Sequence, residues 1–147
     1  MILGIGIDLV SIKQAKRLMQ RFGDRFLQKI YTESEISRGK ALALPEQEFA
    51  AWFAAKEAAQ KALGAGIFSG VRFKEIEVVS EPGQRPGVKL FGKAGQRAKK
   101  MGVQKIHLSL SHELDYATAM VVIESDTASM RGLSTAKARR TQRGKIF

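Results

Sequence analysis

The 147-residue sequence contains no cysteine, two histidines and one tryptophan. Without cysteine there is no disulfide framework and no thiolate chemistry, and a reducing, cytoplasmic compartment is the expectation. Two histidines without cysteine argue against a zinc site. No apolar run approaches the ~20 residues that a transmembrane helix needs, and the N-terminus lacks the basic start of a signal peptide. These absences favour a soluble globular protein without a membrane span.

Acidic residues are also scarce, with 14 Asp and Glu against 25 Lys and Arg, for a formal net charge of +11. This excess favours anionic partners such as phosphorylated metabolites, acidic proteins or nucleic acid. We predict one domain over residues 1–125 and a basic C-terminal tail over residues 126–147, disordered in isolation. A nucleic-acid-binding module is the alternative suggested by the charge, although the stacking aromatics used by single-strand binders are missing.

Residues 49–66 are the most distinctive stretch, with the sequence FAAWFAAKEAAQKALGAG. Its alanines and aromatics predict a helix that begins at Pro45, is buried on most sides and ends at Gly64. Glu57 and Lys61 are four residues apart, which usually marks an exposed ion pair worth about 0.2–0.5 kcal/mol. Among so many apolar neighbours, however, these charges and Lys56 are expected to be partly buried. Buried charge is costly unless it is paired or binds an ion.

The rest of residues 1–125 alternates between strand and helix patterns. Ser11 is the predicted N-cap of the first helix, and Thr32 and Glu35 form a predicted capping box. A hairpin turn is expected at residues 112–115. Strands are predicted over residues 2–9, 73–80, 88–91, 105–111 and 116–124, and further helices over residues 12–22, 24–30, 33–41 and 93–101.

Asp8 closes the apolar first strand, so it is either a helix cap or a carboxylate at the edge of a site. If the fold brings Asp8 to Glu57, two hard oxygen ligands meet near Lys61. That pair suits Mg²⁺, which takes one or two carboxylates together with substrate phosphates. Lys61 would add a point charge to the same phosphates, and the Gly64–Gly66 loop would add backbone N–H groups.

Two motifs, in this order, sharpen the prediction. Residues 4–10 read GIGIDLV and residues 52–62 read WFAAKEAAQKA. Together they resemble the bacterial holo-[acyl-carrier-protein] synthases, which are 4′-phosphopantetheinyl transferases. The likeness extends over residues 2–124 and includes the C-terminal hairpin with His107 and His112. It implies an α+β, 4′-phosphopantetheinyl transferase-like fold, in which an antiparallel sheet packs with a long central helix and shorter helices.

The resemblance implies that 4′-phosphopantetheine is transferred from coenzyme A to a serine of acyl carrier protein, with release of 3′,5′-ADP, in fatty acid biosynthesis. Asp8 and Glu57 would hold Mg²⁺, and Lys61 would contact the phosphates and assist the leaving group. The general base stays open between Glu57, Asp8 and a metal-bound water. Arg85 and Pro86 correspond to the family's basic residue and proline near the nucleotide.

The resemblance also implies partners. The family is typically a homotrimer with coenzyme A between neighbouring subunits, and His112 is a further candidate ligand contact. Acyl carrier protein is acidic, so a basic face of the first helix is its expected docking site, unless this face is only solvated. That face comprises Lys13, Lys16, Arg17 and Arg21, and Arg25 lies just beyond the helix and is part of the same expected site. A catalytically inactive scaffold that binds the carrier is a third alternative.

Two positions depart from the family pattern. Trp52 replaces a basic residue, so a phosphate or interface contact is lost or is replaced by stacking. Ala65 replaces a threonine, which removes one hydroxyl donor.

Overall fold

The computed structural model describes residues 1–126 of the chain. It confirms an α+β fold in which antiparallel strands pack against a long central helix. The predicted tail lies, apart from Asp126, outside the described residues. The elements are β1 (Ile2–Ser11), α1 (Ile12–Phe22), α2 (Asp24–Ile30), α3 (Glu33–Lys40), α4 (Pro45–Ala62), β2 (Ile76–Val79), β3 (Gly87–Leu90), α5 (Gly92–Met101), β4 (Lys105–Glu113) and β5 (Tyr116–Glu124).

The strands form two antiparallel sheets. β5 lies between β1 and β4 in a three-stranded sheet, and β2 pairs with β3 in a separate hairpin. In the larger sheet Asp8 is opposite Ala119, and Leu9 is opposite Thr118. Alternate residues of β5 point into the core, where Ala119 and Val121 pack with the alanines of α4. The described helices include none long and apolar enough to cross a bilayer.

Gly4 and Gly6 allow β1 to lie directly on α4. A Cβ atom built on Gly4 would be 2.1 Å from the carbonyl oxygen of Ala62, and one on Gly6 would be 1.8 Å from that of Ala58. Neither distance is compatible with a side chain, so strand and helix touch backbone to backbone. Because alternate residues of a strand share a face, Asp8 points toward the same helix.

Local signals predicted several boundaries correctly. α1, α2 and β5 have the predicted bounds, the Ser11 hydroxyl accepts from the N–H of Gln14, and the capping box of Thr32 and Glu35 is formed. Three predictions were wrong. β1 does not close at Asp8 but continues to Ser11. β2 begins only at Ile76, because residues 73–75 form a 3₁₀ turn, and β4 continues to Glu113, which shortens the predicted hairpin turn.

Lys56 and Glu35 form a fully buried ion pair between α4 and α3, with 2.9 Å between Nζ and Oε2. Lys56 also donates to the carbonyl oxygens of Phe73 and Ile76, and Glu35 accepts from the N–H of Val78. Burial lowers the pKa of Lys56, and the charge of Glu35 opposes this. The pair therefore ties the β2 segment and α3 to α4.

Candidate active site

Asp8, Glu57 and Lys61 meet where β1 crosses α4. The Nζ atom of Lys61 lies 2.9 Å from Oδ1 of Asp8, and it donates to the carbonyl oxygen of Ile7 at the same distance. The carboxyl group of Glu57 lies close enough to Asp8 for the charge of Asp8 to act on it. Asp8 is largely buried, whereas the Lys61 side chain is 56% exposed. Two acids and a lysine thus share one small region that opens to solvent at the lysine.

The proximity of two carboxylates changes the acidity of Glu57. Partial burial, then the negative charge of Asp8 and a hydrogen bond to it, raise the pKa of Glu57 from 4.5 to about 7, and the charge of Lys61 opposes the change. At neutral pH the pair therefore tends to retain one proton. A divalent cation would relieve the same repulsion, so the donor chemistry fits the predicted Mg²⁺.

The structure decides between two alternatives left open by the sequence. Ser11, not Asp8, provides the N-cap of α1, so the carboxylate of Asp8 is not used as a cap. Within residues 1–126, Lys61 forms its ion pair with Asp8 and not with Glu57, although Glu57 is four residues away on the same helix. In the described residues, Glu57 and Lys61 therefore do not form the exposed i,i+4 ion pair that their spacing suggested.

The loop after α4 is held by an arginine that the sequence pattern did not single out. Arg97, on α5, donates from Nε to the carbonyl oxygen of Leu63 and from Nη2 to that of Gly64, at 2.5 and 2.7 Å. The N–H groups of Gly64 and Ala65 are bonded to α4 carbonyls, which leaves only the N–H of Gly66 among the three without an acceptor in the described residues. Gly64 itself has a φ of 60°, the left-handed region that glycine favours.

The other predicted ligand contacts lie apart from the carboxylates. Arg85 lines a depression between α3 and the β2–β3 hairpin, and Pro86 is the next residue in that loop. His112 lies at the end of β4 and lines a second depression with Leu9 and Thr118. Neither depression is lined by Asp8, Glu57 or Lys61. Arg85 and His112 thus line depressions other than the region of the acidic pair.

Trp52 is buried and packs edge-on against Phe49, with ring centroids 5.4 Å apart. The guanidinium carbon of Arg38 lies 4.9 Å from the centroid of the Trp52 ring. Trp52, which departs from the family pattern, thus makes a stacking contact with an arginine of α3, and no pattern in the sequence indicated this partner.

Residues 4–121 match the family model described as the 4′-phosphopantetheinyl transferase superfamily. The matched range contains Asp8, Glu57 and Lys61. The chain belongs to the 4′-phosphopantetheinyl transferase superfamily. A relative in this superfamily, the holo-[acyl-carrier-protein] synthase of Koribacter versatilis, is 49% identical over 124 residues, which cover 84% of this chain and 99% of the relative. The corresponding enzyme of Maridesulfovibrio salexigens is 44% identical, with the same coverage.

Solved phosphopantetheinyl transferase structures share the fold. The holo-[acyl-carrier-protein] synthase of Neisseria meningitidis has a TM-score of 0.78 at 35% identity, covering 85% of this chain and all of that one. The Bacillus anthracis enzyme in complex with CoA (3′,5′-ADP) has a TM-score of 0.71 at 34% identity, covering 86% of this chain and 99% of that one. The phosphopantetheinyl transferase fold predicted from the two motifs is confirmed, and the chain is an enzyme of this class.

Proposed function

We propose that the chain is a holo-[acyl-carrier-protein] synthase, which transfers 4′-phosphopantetheine from coenzyme A to a serine of apo acyl carrier protein. The convergence of Asp8, Glu57 and Lys61 from distant parts of the chain carries the proposal. Such a group suits the diphosphate of coenzyme A, because carboxylates hold a metal and a lysine adds positive charge. Relatives that carry the name of this activity, and a solved relative bound to coenzyme A, support the same assignment.

Asp8 and Glu57 are the residues that would hold Mg²⁺. Their carboxyl groups are close enough for their charges to interact, and two carboxylates leave room for water and phosphate oxygens around the ion. Bound there, Mg²⁺ would neutralise negative charge on the diphosphate of coenzyme A.

Lys61 is the proposed phosphate contact. Its Nζ atom is already at the carboxylate of Asp8, and its exposed side chain is free to reach a ligand from the solvent side. In the reaction, the serine oxygen forms a bond to the β-phosphorus and the bond from that phosphorus to the bridging oxygen breaks. Adenosine 3′,5′-bisphosphate leaves, and Lys61 balances the charge that develops on it. The hydroxyl proton passes to a base, for which Glu57 and Asp8 are the candidate side chains.

The basic face of α1 is the proposed docking site for the acidic carrier protein. Its four basic residues, and Arg25 at the start of α2, are all exposed in the structure. Next to them, Leu18, Phe22 and Phe26 line an apolar groove of about 390 Å³ that is bordered by Arg25 and Lys29. A groove with apolar walls and a basic rim fits an amphipathic acidic helix.

We further propose that the chain forms a homotrimer through the sheet face away from α4. On that face Ile5, Ile7 and Leu9 are 58%, 61% and 63% exposed, and Tyr116 and Met120 lie beside them on β5. Soluble monomers rarely leave such a continuous apolar patch in water. Sedimentation should give three times the chain mass for the wild type and a smaller species for Ile7→Lys. A monomeric wild type would contradict this assembly.

The activity is tested by incubating the full chain with coenzyme A, Mg²⁺ and apo carrier protein, and weighing the carrier by mass spectrometry. We expect the gain of one phosphopantetheine group per carrier, abolished in Glu57→Gln and Lys61→Met but unchanged in Lys100→Gln, which alters an exposed lysine of α5. A carrier that gains no mass with the wild-type enzyme would refute the proposal. Salt-sensitive RNA binding without transfer would instead support the nucleic-acid alternative.

A further inference from the structure

The carboxyl end of α4 lies beside the residue that we propose to contact phosphate. Lys61 is in the last turn of α4, and the helix ends at Ala62. The backbone carbonyl groups at this end of a helix together carry about half an elementary negative charge. A diphosphate held by Lys61 is therefore repelled by the end of the same helix, unless that negative charge is neutralised.

The carbonyl groups at the end of α4 are bonded in two different ways. Those of Gln60 and Lys61 accept hydrogen bonds from backbone N–H groups of the loop that follows the helix. Those of Leu63 and Gly64 accept instead from Arg97 of α5, at 2.5 Å from Nε and 2.7 Å from Nη2. The loop amides are neutral, whereas the guanidinium group brings a full positive charge to the second pair of carbonyl groups.

The charge of Arg97 is not balanced by an acidic side chain. Within residues 1–126, no carboxylate lies within 4 Å of its guanidinium group. Gly64 is exposed, so water could bond its carbonyl group, and hydrogen bonding alone does not require a cation here. An unpaired guanidinium at this position therefore acts on the negative end of α4 and on an anion bound next to it.

We propose that Arg97 is a positioning residue for coenzyme A, whose charge neutralises the carboxyl end of α4 and so allows the diphosphate to bind at Lys61. The inference rests on the proposed function, because coenzyme A is the ligand that brings the diphosphate. Arg97 acts through the carbonyl groups of the loop and needs no contact with the substrate. Its replacement should therefore change the affinity for coenzyme A and leave the affinity for the carrier protein unchanged.

The test is titration calorimetry of the full chain with coenzyme A, in the presence of Mg²⁺ and without carrier protein. Arg97→Gln can still donate to one carbonyl group but has no charge, so it should weaken coenzyme A binding about fivefold to thirtyfold. Arg97→Lys keeps the charge and should bind within about threefold of the wild type. Lys100→Gln removes a positive charge from an exposed position of α5 and should bind as the wild type does.

Wild-type affinity in Arg97→Gln, or equal weakening in Arg97→Gln and Arg97→Lys, would overturn the inference. Salt provides a second readout that a purely structural role would not change. The difference in affinity between the wild type and Arg97→Gln should become smaller as the salt concentration rises, because screening weakens interactions between charges. A difference that is independent of salt would also contradict the role of the charge.

Urea unfolding of each variant shows whether it is folded in the assay. Should Arg97→Gln be unfolded, Arg97→Lys still decides the question, because binding more than about tenfold weaker by this charged variant would overturn the inference. Transfer assays then separate the inference from the proposed function. If the wild type never modifies the carrier, the proposed function fails. If transfer occurs and Arg97→Gln leaves KM for coenzyme A unchanged, only this inference fails.

Discussion

Glu57→Gln should make the metal-free protein more stable at pH 8 while abolishing its activity. In the folded chain, burial and the charge of Asp8 raise the pKa of Glu57 to about 7, whereas the ordinary value is 4.5. Between these pH values the unfolded chain has lost a proton that the folded chain keeps. The wild type therefore loses stability as pH rises from about 4.5 to about 7, and then stays at the lower level.

At about 1.4 kcal/mol per pH unit, the interval between the two pKa values corresponds to a loss of about 3 kcal/mol in the free energy of unfolding of the wild type at pH 8. Because Glu57 is only partly buried, solvent screening reduces this to about 1–2 kcal/mol. A glutamine retains the shape and can donate to Asp8, so the variant escapes the repulsion. Below pH 4.5 residue 57 is uncharged in both the wild type and Glu57→Gln, so the extra stability of the variant should vanish.

The assay is urea unfolding at a fixed protein concentration, between pH 4 and pH 8, with a chelator present. The free energy of unfolding of Glu57→Gln minus that of the wild type should grow with pH, and Glu113→Gln, at an exposed glutamate, should show no such trend. Mg²⁺ should then stabilise the wild type more than the variant. A difference that is independent of pH, or a variant less stable than the wild type at pH 8, would refute the reasoning.

Three further predictions concern the scaffold and the docking face. Lys56→Met leaves a buried carboxylate without its partner and should cost about 3–5 kcal/mol in urea unfolding, with part recovered by adding Glu35→Gln; an equally unstable double variant would contradict the pairing. Gly6→Ala forces β1 off α4 and should cost about 3 kcal/mol or more, with loss of transfer activity; retained activity would show that the close contact is dispensable. Arg17→Glu with Arg21→Glu should raise KM for the carrier more than it lowers kcat, and the rise in KM should become smaller as the salt concentration increases. An unchanged KM at low salt would exclude this face of α1 as the docking site.

The helices were the most predictable part of the fold, because their signals are local. The Ser11 cap and the Thr32–Glu35 capping box depend on hydrogen bonds within one turn, and both formed as expected. β2 was less predictable. Its apolar alternation extends back to Phe73, but residues 73–75 form a 3₁₀ turn whose carbonyl at Phe73 accepts from Lys56. That contact comes from α4, so no pattern within the strand indicates it.

The amino-acid sequence was enough to identify the residues available for chemistry, and the order of two motifs was enough to assign the superfamily. Which side chains these residues contact depends on the packing of distant segments. Lys61 pairs with Asp8 instead of its helical neighbour Glu57, and Lys56 pairs with Glu35. The physical reason is that helix periodicity fixes only contacts within a few residues. Contacts between distant segments depend on how the chain packs, and here the glycines of β1 allow that strand to lie against α4.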